Sequence, residues 1–208
     1  MNPKKIPFLI YIIFHPHSVK AREYAQSIHQ MLNQDPVVPG LKIPTRFLPD
    51  DGTGLPPTED TLDKADKVFA VVLADDYINA GYDAGIPDGK KDWGPWVADL
   101  YEAYAGDVNR RCVPFQLSSS AWPLDPRLSG VNFPRAWSVM EVKRKAWIEQ
   151  RLLIELVRFM NREEMKDEEH PRAPLTVFVS HTKMDIEKEP RVVEELLHYM
   201  SQYKPVDA

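Results

Sequence analysis

The stretch Phe8-Leu9-Ile10-Tyr11-Ile12-Ile13-Phe14 decides the fold, because seven apolar residues rich in β-branched and aromatic types stand together without a polar break. Alternation is the mark of a strand with one wet face; a continuous run predicts a strand covered on both faces, which is the habit of parallel sheets. Pro7 and the His15-Pro16-His17 break bound the run, and no small-residue cleavage site follows it, so it reads as a core strand and not as a signal peptide.

Working outward, Ser18 is an N-cap, and Ala21, Tyr24, Ala25, Ile28, Met31 and Leu32 recur at helical spacing after it. Leu41 to Leu48 reads as the second strand, and Pro49 to Pro57 as a loop dense in turn-formers. Thr58 opens a short helix with Leu62 and Ala65, and Lys67 to Leu73 is a third buried strand ending at Ala74-Asp75-Asp76. Tyr77 to Lys91 is a Gly- and Asp-rich loop without periodicity. The spacing of Trp96, Leu100, Ala103 and Tyr104 predicts a helix from Trp96 to Ala105, with Pro95 in its first turn. Arg111 to Leu117 is the fourth strand, and Val131-Asn132-Phe133 is a short edge strand inside the irregular Ser118 to Pro134 segment. A long helix runs from Ser138 to about Met165.

Strands alternating with helices predict an α/β fold, with helices on both faces of a mainly parallel sheet of about five strands. Residues 1–165 form the first domain, and the charged, Pro-punctuated 166–174 a linker. At Leu175 the pattern restarts: Leu175 to Ser180 is a strand, and Val192, Val193, Leu196, Leu197 and Met200 are helically spaced. One strand and one helix cannot bury a core, so residues 175–208 read as the opening of a second domain in a longer protein.

Composition excludes several classes. A net charge of -5 with only short basic runs, Arg110-Arg111 and Lys143 to Lys145, argues against a nucleic-acid partner. No run approaches the ~18 apolar residues of a membrane span, so no membrane partner and a cytoplasmic location are expected. The one cysteine, Cys112, lies in a strand and reads as a small core hydrophobe. No bound cofactor or metal is expected: His15 and His17 lack a third ligand and read as a turn. Asp50-Asp51 and Asp75-Asp76 read as turn and cap residues rather than a magnesium site. In a doubly wound sheet the ligand cleft lies at the carboxyl ends of the strands. That placement makes Phe14, His15, His17, Ser18, Asp50, Asp51, Asp76 and Trp96 the candidate cleft. The five tryptophans read as core or interface residues, not as a base-stacking platform.

Val177-Phe178-Val179-Ser180-His181 through Asp185 resembles the opening of TIR (Toll/interleukin-1 receptor) domains, a hydrophobic strand running into Ser and polar residues ahead of an Asp and a helix. Ser180, His181 and Asp185 are then its turn residues. The first domain resembles a diverged TIR domain through Ile12 to Ser18, the Pro49 to Pro57 loop, the Trp-bearing Asp92 to Tyr104 helix and Val131 to Arg135. The resemblance implies a flavodoxin-like fold, self-association, a role in immune or anti-phage signalling, and NAD+ or a nucleotide-derived ligand as substrate or partner. Many such proteins cleave NAD+ at its nicotinamide glycosidic bond. They use a Glu four residues after the helix Trp, whose charge stabilises the oxocarbenium-like centre. Here Leu100 stands four residues after Trp96, and Asp99-Leu100 is the nearest match, shifted by one. Asp99, or less well Glu102, is the candidate catalytic carboxylate; the residues alone leave open whether Asp99 is catalytic or a solvated helix acid. A shorter, shifted carboxylate makes the first domain a weak hydrolase by expectation, with assembly or regulation as its part. NAD+ cleavage then falls to the second domain; the alternative is a catalytically silent interaction or ligand-sensing module.

Overall fold

The computed structural model describes residues 6–33, 42–48, 52–57, 65–80, 86 and 88–160. The chain divides into two units, Met1–Glu164 and Met165–Ala208. Every described residue lies in the first, so the linker at 166–174 and the second-domain turn at Ser180, His181 and Asp185 fall outside them, as do Asp50 and Asp51.

Four strands, β1 (Ile6–Phe14), β2 (Thr45–Leu48), β3 (Ala65–Ala74) and β4 (Arg110–Gln116), make one sheet in the order β2-β1-β3-β4, with every pairing parallel. That order is the flavodoxin-like one up to its fourth strand. The register sets Ile13 between Leu48 and Val72, so the ends of β1, β2 and β3 come level beside the His15 turn. Helices α1 (Val19–Asn33), α3 (Trp93–Tyr104) and α4 (Glu141–Met160) flank it, and a one-turn helix α2 (Asp76–Asn79) follows β3.

Alternate residues of the inner strands enter opposite cores, which is why their sequences read as unbroken apolar runs. Leu9, Tyr11, Ile13, Val68, Ala70 and Val72 pack with Trp93, Trp96, Val97 and Leu100 of α3. Ile10, Ile12, Phe14, Phe69, Val71 and Leu73 pack with Ala25 and Ile28 of α1 and Leu152 and Phe159 of α4. Each large side chain so buried contributes about 1.5–3 kcal/mol. Cys112 is buried, and burial pushes its thiol well above the usual range.

The sheet departs from the sequence reading at its margins. Four strands are described where about five were expected. Residues 131–134 form no strand and join β4 only through a parallel bridge between Gln116 and Arg135, with Gln116 N–H donating to the Pro134 carbonyl at 2.9 Å. Pro134 has no N–H to continue a ladder, and Phe133 is drawn into the α3 core. Thr45, not Leu41, opens β2, immediately after Pro44. Ala65 opens β3 instead of belonging to a helix. Pro114 sits in β4, a terminal strand of the sheet, where a proline is tolerated. Among the described residues no helix is long and apolar enough to cross a membrane.

Candidate functional site

The carboxyl end of β1 is locked before any side chain meets a neighbour across the sheet. The His15 carbonyl accepts the Ser18 N–H at 3.0 Å, closing the His15-Pro16-His17 turn, and Arg22 donates to the Pro16 carbonyl at 2.5 Å. Ser18 is the cap that the sequence predicts: its hydroxyl oxygen accepts the Ala21 N–H at 3.0 Å. Within the turn, His15 Nδ1 accepts the His17 backbone N–H at 3.2 Å. A ring nitrogen that accepts carries no proton, so this geometry requires the neutral imidazole with its proton on Nε2.

His15 is the centre of an aromatic cluster. Its ring stacks on Tyr77 of α2, with centroids 5.4 Å apart and planes 14° from parallel; it meets Trp93, the first residue of α3, at 5.6 Å and His17 at 5.2 Å. Trp93 Nε1–H donates to the Gly54 carbonyl at 2.9 Å, so the loop after β2 is tied to the start of α3. His15 and Trp93 are buried, while Tyr77 and His17 form an open rim. The turn after β1, the helix after β3 and the start of α3 thus meet at the His15 ring, and the loop after β2 joins them through Trp93, as expected for a ligand cleft in a parallel sheet. Phe14, expected in the cleft, instead packs into the α1 and α4 core on the other sheet face from Trp93, edge-on to Phe47 of β2.

The acids after β3 act on backbone and loops. Asp75 caps α2, its carboxylate accepting from the Tyr77 and Ile78 N–H groups. Asp76 accepts from the hydroxyls of Ser118, at 2.6 Å, and Ser120, and these two donors hold its carboxyl below the usual range. Asn79 donates to the Ser120 carbonyl at 2.6 Å. The loops after β3 and β4 are therefore pinned together, and Asp76 is placed as a clamp between them. Among the described residues no group of three His, Cys, Asp or Glu is placed to hold a metal ion.

Helix α3 begins three residues earlier than the sequence suggests. Asp92, not Pro95, marks its start, accepting the Trp93 N–H at 2.7 Å. The tryptophan at the cleft is consequently Trp93. Trp96 is buried in the core, edge-on to Trp93 at 6.0 Å, with its indole N–H unpartnered. The signal was available in Asp92, a preferred cap directly before an aromatic residue. Tyr77 gave none, since it stands in a stretch without periodicity.

Asp99 and Glu102 belong to a different constellation. Asp99 accepts from Lys91 Nζ at 2.5 Å and from Arg127 Nη1 at 2.7 Å, and the same Nη1 reaches Glu102 at 3.0 Å. The Lys91 ammonium first, and then the Arg127 guanidinium, hold the Asp99 carboxyl below its ordinary value. Residues three apart on a helix share a face, so the two carboxylates meet one cation. Arg127 also grips Asp125 and the Pro95 carbonyl, fastening the 118–134 segment to α3. No family model, curated protein or solved structure matches the chain.

Proposed function

We propose that this chain belongs to a TIR-like signalling or defence protein whose first unit is a sensing and assembly module, with NAD+ cleavage assigned to the second TIR-like copy that opens near residue 175. The observation that carries the division is the double capture of Asp99 by Lys91 and Arg127. Breaking the nicotinamide glycosidic bond sends the electron pair to nicotinamide and leaves positive charge on the ribose. A carboxylate lowers that barrier through its unspent negative charge. Two cations in hydrogen-bond contact offset it and repel a developing oxocarbenium, so Asp99 and Glu102 are poorly suited to this step.

The cleft at the carboxyl ends of β1 and β3 suits the sensing part. Tyr77 and His17 offer open ring faces for a flat base, over a His15 ring fixed by the turn beneath it and by Trp93. A nucleotide-derived ligand, NAD+ included, is the class this surface fits.

The test follows nicotinamide release from NAD+ by the protein as the cell makes it, beside an Asp99→Ala variant. Turnover that survives the substitution is the expected result. Turnover abolished by it, with the fold intact, would make the first unit the hydrolase and overturn this division of labour.

A further inference from the structure

The end of β4 carries a second concave surface, apart from the His15 cluster and from Asp99. Where a fifth strand would continue the sheet, residues 131–137 leave a cavity of about 250 Å3 against the turn that follows Gln116. Trp122, Phe133 and Trp137 wall it, with Trp122 edge-on to Phe133 at 4.8 Å. Its polar lining is the Gln116 side chain, 4% exposed, Ser119 and Arg135. The Gln116 amide is held by donating to the Ser119 carbonyl at 3.4 Å, and its backbone N–H by the Pro134 carbonyl.

Charge gives the cavity its direction. No acidic residue lines it, and among the described residues no carboxylate pairs with the Arg135 guanidinium. Arg144 braces the Trp137 backbone, donating to the Trp137 and Val139 carbonyls at 3.3 and 3.1 Å. The acid that opens α4, Glu141, is already engaged by Lys20 at 2.7 Å. An unpaired guanidinium at the mouth of an aromatic box binds a planar carboxylate well: the fork takes both oxygens while the ring meets the indole faces. The volume lies below the roughly 300–1,000 Å3 of sites for drug-sized ligands, which limits the occupant to one ring system.

We propose that this cavity is a binding site for a small aromatic carboxylate, with Arg135 gripping the carboxylate, Trp122, Phe133 and Trp137 enclosing the ring, and the Gln116 amide reading a polar ring substituent. The site does not depend on the reading of the His15 cleft. Because it spans Gln116 and Arg135, where the last strand meets the segment beside it, an occupant braces the sheet margin.

Titration of the whole chain with benzoate, benzamide and acetate, followed by the indole N–H resonances, tests it. Phenylalanine substitutions of Trp122 and Trp137 identify their signals. Benzoate shifts these two indoles saturably and binds at least about tenfold more tightly than benzamide or acetate, the advantage of a charge-assisted fork over a neutral contact. Arg135→Gln abolishes that preference at an unchanged melting temperature, and Arg135→Lys retains part of it. Equal affinity for benzoate and benzamide, a preference that survives Arg135→Gln, or no saturable shift of either indole would each overturn the proposal.

Discussion

The start of α3 and its later turns solve opposite problems with different physics. At its start, Trp93 is 1% exposed, meets His15 and Trp96, and spends its one polar atom on the Gly54 carbonyl. One turn and a half further on, Asp99 and Glu102 reach out to Lys91 and Arg127 in water. The first region gains its energy from removing apolar surface and is insensitive to salt. The second gains little, because exposed pairs trade Coulomb attraction against hydration and side-chain entropy. A single helix therefore holds the candidate cleft rigidly by one end, and fastens a surface segment loosely by its middle.

The comparison breaks first if Trp93 proves dispensable. Trp93→Ala removes a fully buried indole from beneath His15 and should destabilise the unit by about 3–5 kcal/mol, read from the shift in urea midpoint. Trp93→Phe, which keeps a ring but drops the donor to Gly54, should cost about 1–3 kcal/mol by leaving the carbonyl without that partner. A Trp93→Ala loss under 1 kcal/mol would mean that the start of α3 does not anchor the cleft.

Gly94 sharpens the same point by a different route. A Cβ at this position would lie 2.2 Å from the Leu124 carbonyl oxygen, closer than any real contact. The backbone of α3 and the loop after β4 are thus in direct apposition, with no flexible side chain to yield. Gly94→Ala should cost about 1–3 kcal/mol as helix and loop are forced apart, although alanine is the better helix former. A more stable variant would show that the loop gives way freely.

How much of this was legible follows from what each residue type reports. The inner strands were plain, because β1 and β3 are covered on both faces and only apolar runs survive there. Ser18 was plain because capping is local chemistry. The margins were not: Val131-Asn132-Phe133 has a strand-like composition, but whether it pairs depends on Pro134 and on where Phe133 finds a core. Of the candidate cleft, His15, Ser18 and Asp76 were found from the rule that ligands gather at carboxyl strand ends. Their partners Tyr77, Trp93 and Ser118 were missed, since contacts across a sheet leave no spacing in the chain. Asp99 was singled out as a helix carboxylate, while its captors Lys91 and Arg127, which lie 8 and 28 residues away, were not.

The smallest expected effect is the most diagnostic of the ionic region. Asp99→Asn should lower stability by less than about 1 kcal/mol near neutral pH and low salt, because the group is only partly buried and its two cations are exposed. The Asp99 carboxyl is held below its ordinary value in the folded protein by Lys91 and Arg127. A depressed folded value means that the unfolded chain binds the proton first. The contribution is therefore complete above the ordinary carboxylate value of about 4 and fades as pH falls through the lower folded one. Thermal melts of the two proteins should differ at pH 7 and converge once the pH falls below the depressed folded value, and the difference should narrow in 1 M salt, where exposed charges are screened. Trp93→Ala should keep its deficit in 1 M salt. If instead the Asp99→Asn deficit persists in acid or salt, the carboxylate is held by something other than its two cations. The reason given above for denying it a catalytic part would then fall with it.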